Sequence, residues 1–265
     1  STNDATVSDG SFKMPGKDVT LTGSWSPRSD LSYTVNYYWN GTTDKVADSK
    51  VVSDQTFGDT VTDETPIAID GYTAVPDQTS NLTIGTGANV INFYYYKNVE
   101  LTANSDTVTY DSNEHSVSGF TGAPEGADFS AITVGAKGTE AGEYPAEFAQ
   151  NTVGTVDANS KYIVTSAIDG KLIINPIGKV TVTITGNTAT KTYNGSEQTV
   201  TGYDVSISNP LYTENDCTFS GNASASGTDA GTYNMGLAAE QFANKNTNFS
   251  NVEFVVNDGS LTIEK

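Results

Sequence analysis

Few side chains in this sequence could carry chemistry. The 265 residues hold one histidine, His115, and one cysteine, Cys217. His115 lies in Asn113-Glu114-His115-Ser116 beside an expected turn, and no local serine or cysteine completes a nucleophile–base pair with it. Cys217, in Asn215-Asp216-Cys217-Thr218-Phe219, has no histidine near it and reads as a small strand or core residue. Carboxylates are numerous, but none sits in an apolar stretch that would raise its pKa for acid–base work. One His and one Cys exclude a local zinc cluster, and Asp63-Glu64 or Asn244-Lys245-Asn246 lack the alternating ligands of a calcium loop; such loops read as solvated. Lys179 and Lys191 flank an apolar strand and are the candidates for an internal Lys–Asn amide, against the commoner role of surface lysine. What remains is aromatic. Tyr37, Tyr38, Trp39, Tyr72, Tyr94 and Tyr96 fall in one stretch of the chain, and aromatic faces ringed by amide and acid groups suit the amphipathic rings of sugars. The candidate ligand-binding set is Tyr38, Trp39, Tyr72, Tyr94 and Tyr96. No catalytic residue, metal ligand or cofactor site is expected.

Composition limits the partners. The formal net charge is −19, with 13 basic against 32 acidic residues spread along the whole chain. Acid distributed this evenly is a solvating shell that favours a monomer, and it opposes contact with phosphate backbones or anionic membranes, which need clustered Lys and Arg. A single cysteine rules out an intrachain disulfide. No apolar run reaches the length of a membrane span, and the first residues do not form a signal peptide, so this stretch reads as a piece of a longer protein. Thr, Val and Tyr suit half-buried pleated surfaces, and Gly, Asn and Asp punctuate turns. A mainly β chain of several small modules follows, α+β at module level, with at most one short helix in each.

The elements that must hold the aromatics can be taken in order. In residues 1–30, Pro15 precedes an alternating stretch with Val19, Leu21 and Gly23 on one face, ending at Trp25; a strand is expected there. In residues 31–97, Tyr33, Val35, Tyr37 and Trp39 share one face of an opening strand, the Asn40-Gly41 turn follows, and Ile91, Phe93 and Tyr95 share a face of the closing strand. Tyr38, Tyr94 and Tyr96 therefore stand on the opposite side, free to face outward.

The rest of the chain contains one unit twice. The first copy, residues 98–177, carries Tyr110-Asp111-Ser112-Asn113-Glu114, Gly138-Thr139-Glu140-Ala141-Gly142-Glu143-Tyr144 and Asp169-Gly170-Lys171-Leu172-Ile173-Ile174. The second, residues 178–265, carries Tyr193-Asn194-Gly195-Ser196-Glu197, Gly227-Thr228-Asp229-Ala230-Gly231-Thr232-Tyr233 and Asp258-Gly259-Ser260-Leu261-Thr262-Ile263. The early landmarks are offset by 83 positions and the later ones by 89, so the second copy holds six extra residues between them. Val180, Val182 and Ile184 alternate with threonines as a strand, and a second strand is expected from Thr199 to Tyr203. Leu237–Ala243 has good helix formers at helical spacing. Val252, Phe254 and Val256 form a strand that Asp258-Gly259 is expected to turn into a hairpin with Leu261 and Ile263, and the first copy repeats that hairpin at Asp169-Gly170.

Three resemblances attach to these residues. Phe12-Lys13-Met14-Pro15 through Trp25 resembles the terminal strand of a preceding repeat of Gram-positive surface proteins. Residues 31–97, with Tyr33-Thr34-Val35-Asn36-Tyr37, Gly58-Asp59-Thr60-Val61, Asp70-Gly71-Tyr72 and an aromatic closing strand before Lys97, resemble the MucBP (mucin-binding protein) domain. Ile69-Asp70 stands where that family commonly has a proline. The two copies resemble MBG-type repeats, through Lys191 to Gly195, Gly227-Thr228-Asp229-Ala230-Gly231-Thr232-Tyr233 and Asp258-Gly259-Ser260-Leu261-Thr262-Ile263; the first copy departs at Ser112-Asn113. These resemblances imply tandem small β-grasp-like modules in an extended row, in an extracellular, cell-wall-attached adhesin. Its partners would be mucin or other glycoprotein glycans, bound weakly by each module and strengthened by multivalency. The rival expectation is a structural stalk that projects a distal binding domain.

Overall fold

A computed structural model describes residues 9–14, 16–20 and 23–265. The chain divides into two compact units, Ser1–Lys97 and Asn98–Lys265. It is mainly β, and helical structure among the described residues is confined to two three-residue 3-10 turns, Glu214–Asp216 and Ala239–Gln241.

In the first unit, β1 (Leu31–Trp39) and β2 (Lys45–Gln55) form an antiparallel pair across the Asn40-Gly41 turn. The short β3 (Thr60–Val61), β4 (Tyr72–Ala74) and β5 (Leu82–Thr83) follow, then the long β6 (Val90–Ala103), whose part up to Lys97 belongs to this unit. Chain-distant β1 and β6 pair in parallel, Val35 opposite Ile91 and Tyr37 opposite Phe93. Alternation then does what it must: Tyr33, Val35 and Tyr37 of β1 and Ile91, Phe93 and Tyr95 of β6 turn to one side and are buried together with Ile84. Burying each such side chain contributes about 1.5–3 kcal/mol. The strand expected around Val19 is absent from the described residues between Gly16 and Trp25, which carry no strand; Pro15, Leu21 and Thr22 lie outside the described residues. A lone strand has no ladder to satisfy its backbone, and Trp25 stands fully exposed.

The second unit takes the rest of β6, then β7 (Asp106–Thr109), β8 (His115–Ser118), β9 (Phe120–Thr121), β10 (Gly135–Gly138), β11 (Gly142–Ala146), β12 (Tyr162–Ile168) and β13 (Gly170–Asn175) for the first copy. The second copy follows as β14 (Ile177–Gly186), β15 (Thr188–Thr192), β16 (Gln198–Thr201), β17 (Tyr203–Ile207), β18 (Cys217–Phe219), β19 (Ser224–Gly227), β20 (Gly231–Asn234), β21 (Phe242–Asn244), β22 (Phe249–Asn257) and β23 (Ser260–Glu264). In the second copy β14 pairs in parallel with β22, and β15 in parallel with β23. Val180, Val182, Ile184, Leu261 and Ile263 are buried, as their alternation predicts.

Three sequence expectations are corrected here. Leu237–Ala243 is not a helix: Leu237 and Phe242 are both buried, and Phe242 pairs with Phe219 across β18 and β21. Asp258 also accepts the backbone N–H of Gly236 and of Leu237 (3.0 and 2.9 Å), which fixes a turn where the helix would begin. Asp258-Gly259 is not a hairpin: β22 and β23 enter different sheets, so the dipeptide is a corner. Asp169-Gly170 is likewise a corner between β12 and β13. Lastly, the strand expected from Thr199 to Tyr203 is two strands, cut at Gly202, whose carbonyl accepts from Asn187 N (3.1 Å).

Candidate functional site: an open sheet face in the first unit

The face of β1 and β6 opposite the core carries the aromatics that alternation places there. Tyr38 sits opposite Tyr94 in the parallel register, and their rings lie 6.2 Å apart, tilted by 31°. Tyr94 is 37% exposed, while Tyr38 and Tyr96 are half-buried. Beside them runs a directed row of hydrogen bonds. Lys45 Nζ donates to Ser49 Oγ (2.6 Å), Ser49 Oγ to Asn36 Oδ1 (2.7 Å), and Asn36 Nδ2 to Asn92 Oδ1 (3.0 Å). Asn36 is buried, so the row is held in place, and it ends on exposed Asn92, two residues from Tyr94 on the same face. Gln78 clamps the Tyr94 backbone, accepting its N–H (2.7 Å) and donating to its carbonyl (2.9 Å).

Two members of the expected set do not join this face. Trp39 lies opposite Tyr95, on the core side of the sheet. Tyr72 lies opposite Lys97 in the antiparallel β4–β6 pairing and packs against the core. The period of two along β1 puts Trp39 on the side of Tyr37, and the register of β4 against β6 sets the side of Tyr72. The row from Lys45 to Asn92 was missed in the sequence because it crosses three strands whose register is not local; the one signal was the polar parity of Asn36 and Asn92 with Tyr38 and Tyr94.

On the core side, Glu64 accepts from Tyr33 Oη (2.7 Å) and from Lys50 Nζ (2.6 Å). Burial alone would raise the Glu64 carboxyl, but the bonds from Lys50 and Tyr33 outweigh it and hold the group below the usual carboxylate range. Tyr33 is pushed up to about 12, first by burial and then by its bond to Glu64. In the second unit burial, followed by the fields of Cys217 and Asp216, pushes Tyr212 up to about 12 as well. A tyrosine raised in the folded state stabilises the fold fully below its unfolded pKa, near 10, and that contribution is lost as pH rises through the folded value. Stability should therefore decline between about pH 10 and 12 in both units. Phenolate absorbance followed together with circular dichroism checks this: ionisation of every tyrosine near pH 10 with the fold intact at pH 12 would contradict it.

The other chemistry-bearing residues have structural surroundings. His115 Nε2 meets Asp111 Oδ1 at 2.8 Å, and Asp111 is held down to about 2 first by the backbone N–H of Asn113, then by the Asn113 side chain and His115. Cys217 is partly buried in β18, donates to Glu214 O, and burial pushes its thiol up, away from reactivity. Lys179 pairs with Glu253 (2.8 Å) and Lys191 donates to Thr199 O (2.8 Å), both exposed, so neither has the buried asparagine partner an amide crosslink needs. Among the described residues no group of three or more His, Cys, Asp or Glu is placed to hold a metal.

The residues shared by the two copies hold the frame. Tyr233 folds back over Gly227, where an added Cβ would lie 2.1 Å from the ring, and its hydroxyl donates to Asp229 O (3.1 Å). Tyr144 does the same over Gly138, with its hydroxyl on Glu140 O (2.9 Å). Asn187 Nδ2 donates to Thr201 O and Asn104 Nδ2 to Ser118 O, both at 2.8 Å. Phe148 N donates to Asp169 as Leu237 N does to Asp258. The motif is a turn lock.

Residues 180–265 match the MBG domain family. No curated protein matches the chain. The matched segment runs from within β14 to the end of the chain, past β23, and this similarity is compatible with an extracellular, adhesin-like repeat. The same bonds at the same offsets recur in residues 98–177, beyond the matched segment.

Proposed function

We propose that this chain is a non-catalytic segment of an extracellular, wall-attached adhesin, whose first unit binds mucin or other glycoprotein glycans on the open β1–β6 face. One observation carries the reading: Tyr38 and Tyr94 lie side by side next to a fixed amide row that ends on exposed Asn92. A sugar presents an apolar ring face and an equatorial set of hydroxyls, and this face offers a matching pair of aromatic surfaces and amide donors. The resemblance of residues 31–97 to MucBP domains supports the same partner, and the copies of residues 98–265 act as spacer.

The whole chain should bind mucin glycans on an array or a mucin-coated sensor. Tyr94→Ala should weaken that binding about tenfold, equivalent to about 1.4 kcal/mol, while Tyr72→Ala should act only through stability. Equal binding by wild type and a Tyr38→Ala/Tyr94→Ala variant would sink the assignment of the face. The stalk reading draws on a different observation, that the residues common to the copies serve the turns; absence of any glycan binding by the wild-type chain would leave that reading alone.

A further inference from the structure

The two copies meet at a joint within the second unit, and one half of that joint recurs without its partner. At the joint the turn Glu140-Ala141 of the first copy seats on the loop before β22. Ala141 N donates to Asn248 Oδ1 (2.6 Å), and Asn248 Nδ2 donates to Glu140 Oε2. Tyr110 stands edge-on to Phe249, with centroids 5.9 Å apart, and Phe249 is itself packed edge-on to Tyr212 at 5.0 Å. Asn248 and Phe249 are 3% and 2% exposed. The loop is preorganised from below: Asn246 accepts from Asn248 N (2.9 Å) and donates to Asp216 (2.8 Å).

The offsets place Tyr193, Asp229 and Ala230 of the second copy where the first has Tyr110, Glu140 and Ala141. The local geometry is the same. Tyr193 N donates to Glu264 O (2.7 Å) as Tyr110 N donates to Asn175 O (2.9 Å), and the two turns are locked by the same tyrosine bonds. The surroundings differ. Tyr193 is 50% exposed with no ring against it among the described residues, and Asp229 and Ala230 are exposed, whereas Tyr110 and Ala141 are half-buried.

We propose that the Tyr193–Asp229–Ala230 surface is a docking half-joint, and that its occupant is a further module of the same kind as residues 178–265. That module would offer an asparagine amide to Ala230 N–H and Asp229, and an aromatic edge to Tyr193. Chemistry selects it: a side-chain amide supplies one acceptor and two donors, matching a backbone donor and a carboxylate at the spacing already used once in the chain. The inference does not depend on glycan binding.

The test appends a second copy of residues 177–265 directly after Lys265 of the full chain, since Lys265 is the counterpart of Pro176 and β14 begins at Ile177, and follows amide hydrogen exchange. Exchange at Ala230 should slow by at least about tenfold, and nitration of Tyr193 should slow with it. Both effects should vanish when the appended copy carries Ala at its Asn248 and Phe249 positions. Asn248→Ala in the unextended chain provides the reference, because it should speed exchange at Ala141 by a comparable factor. The proposal is overturned if the appended module is folded, judged by protected amides in its β14 counterpart, and Ala230 and Tyr193 behave as in the unextended chain.

Discussion

Gly259→Ala should destabilise the second unit by about 3 kcal/mol, at the upper end of what overpacking costs. The cause is backbone against backbone. A Cβ on Gly259 would lie 2.5 Å from Asn187 O, 2.8 Å from Gly186 C and 2.7 Å from Met235 Sδ. Only the methionine could swing aside. Gly259 sits at the corner where the parallel pair β14–β22 passes into β15–β23, so any retreat of the backbone disturbs both sheets at once. Gly170 holds the same corner in the first copy, where a Cβ would meet Asn104 O at 2.4 Å and Ala103 O at 2.7 Å, and Gly170→Ala should behave alike. For a unit of this size the midpoint of thermal unfolding should fall by roughly 6–12 °C. Gly231→Ala is the control, since nothing lies within 4 Å of its added Cβ, and it should move stability by no more than about 0.5 kcal/mol. Calorimetry on the three variants decides the matter: equal midpoints for Gly259→Ala and Gly231→Ala would remove the corner argument.

The corner also shows where sequence reasoning stopped. Asp-Gly between two apolar alternations is a sound local signal for a hairpin, and nothing nearby distinguishes it from a corner between sheets. The distinction lies in what pairs with the flanking strands, β14 and β15, which are more than sixty residues away. The helix expected over Leu237–Ala243 failed for the same reason. Its residues have good helix propensity, worth only tenths of a kcal/mol each, while pairing Phe242 with Phe219 and burying Leu237 outweighs that sum. Where one strand's own parity suffices, as for Val180, Val182 and Ile184 or for Tyr37 against Tyr38, the pattern was legible. Tyr72 was misplaced because its side depends on the register of β4 against β6. Asn248 was the least legible of all. In an Asn-rich chain the stretch from Asn244 reads as a solvated loop, and only the fold brings Ala141, more than a hundred positions away, to its amide.

Tyr37→Ala should destabilise the first unit by about 3–5 kcal/mol, most of the stability available to a module of this size. The neighbouring Tyr38→Ala should leave the unit folded. The two side chains are adjacent in sequence and separated by a sheet. Tyr37 is 1% exposed, stacked on Phe93 at 6.4 Å and edge-on to Tyr95 at 6.3 Å, so its removal leaves a cavity lined by rings that β1 and β6 hold apart. The loss goes beyond transferred area, because the parallel register of β1 on β6 is set by these rings and a slip of one residue would carry Tyr38 and Tyr94 into the core. Tyr38 lies on the outer face, where water can occupy the space it vacates. Amide exchange along β1 and β6 separates the outcomes: protection should be lost in Tyr37→Ala and kept in Tyr38→Ala. If Tyr37→Ala kept its protection while Tyr38→Ala lost it, the faces would be reversed and the open face could not bind a ligand through Tyr38 and Tyr94. The same pair of variants thus tests the core and the exposure of the face proposed to bind glycans together, since a surface that binds through side chains must tolerate their loss without unfolding.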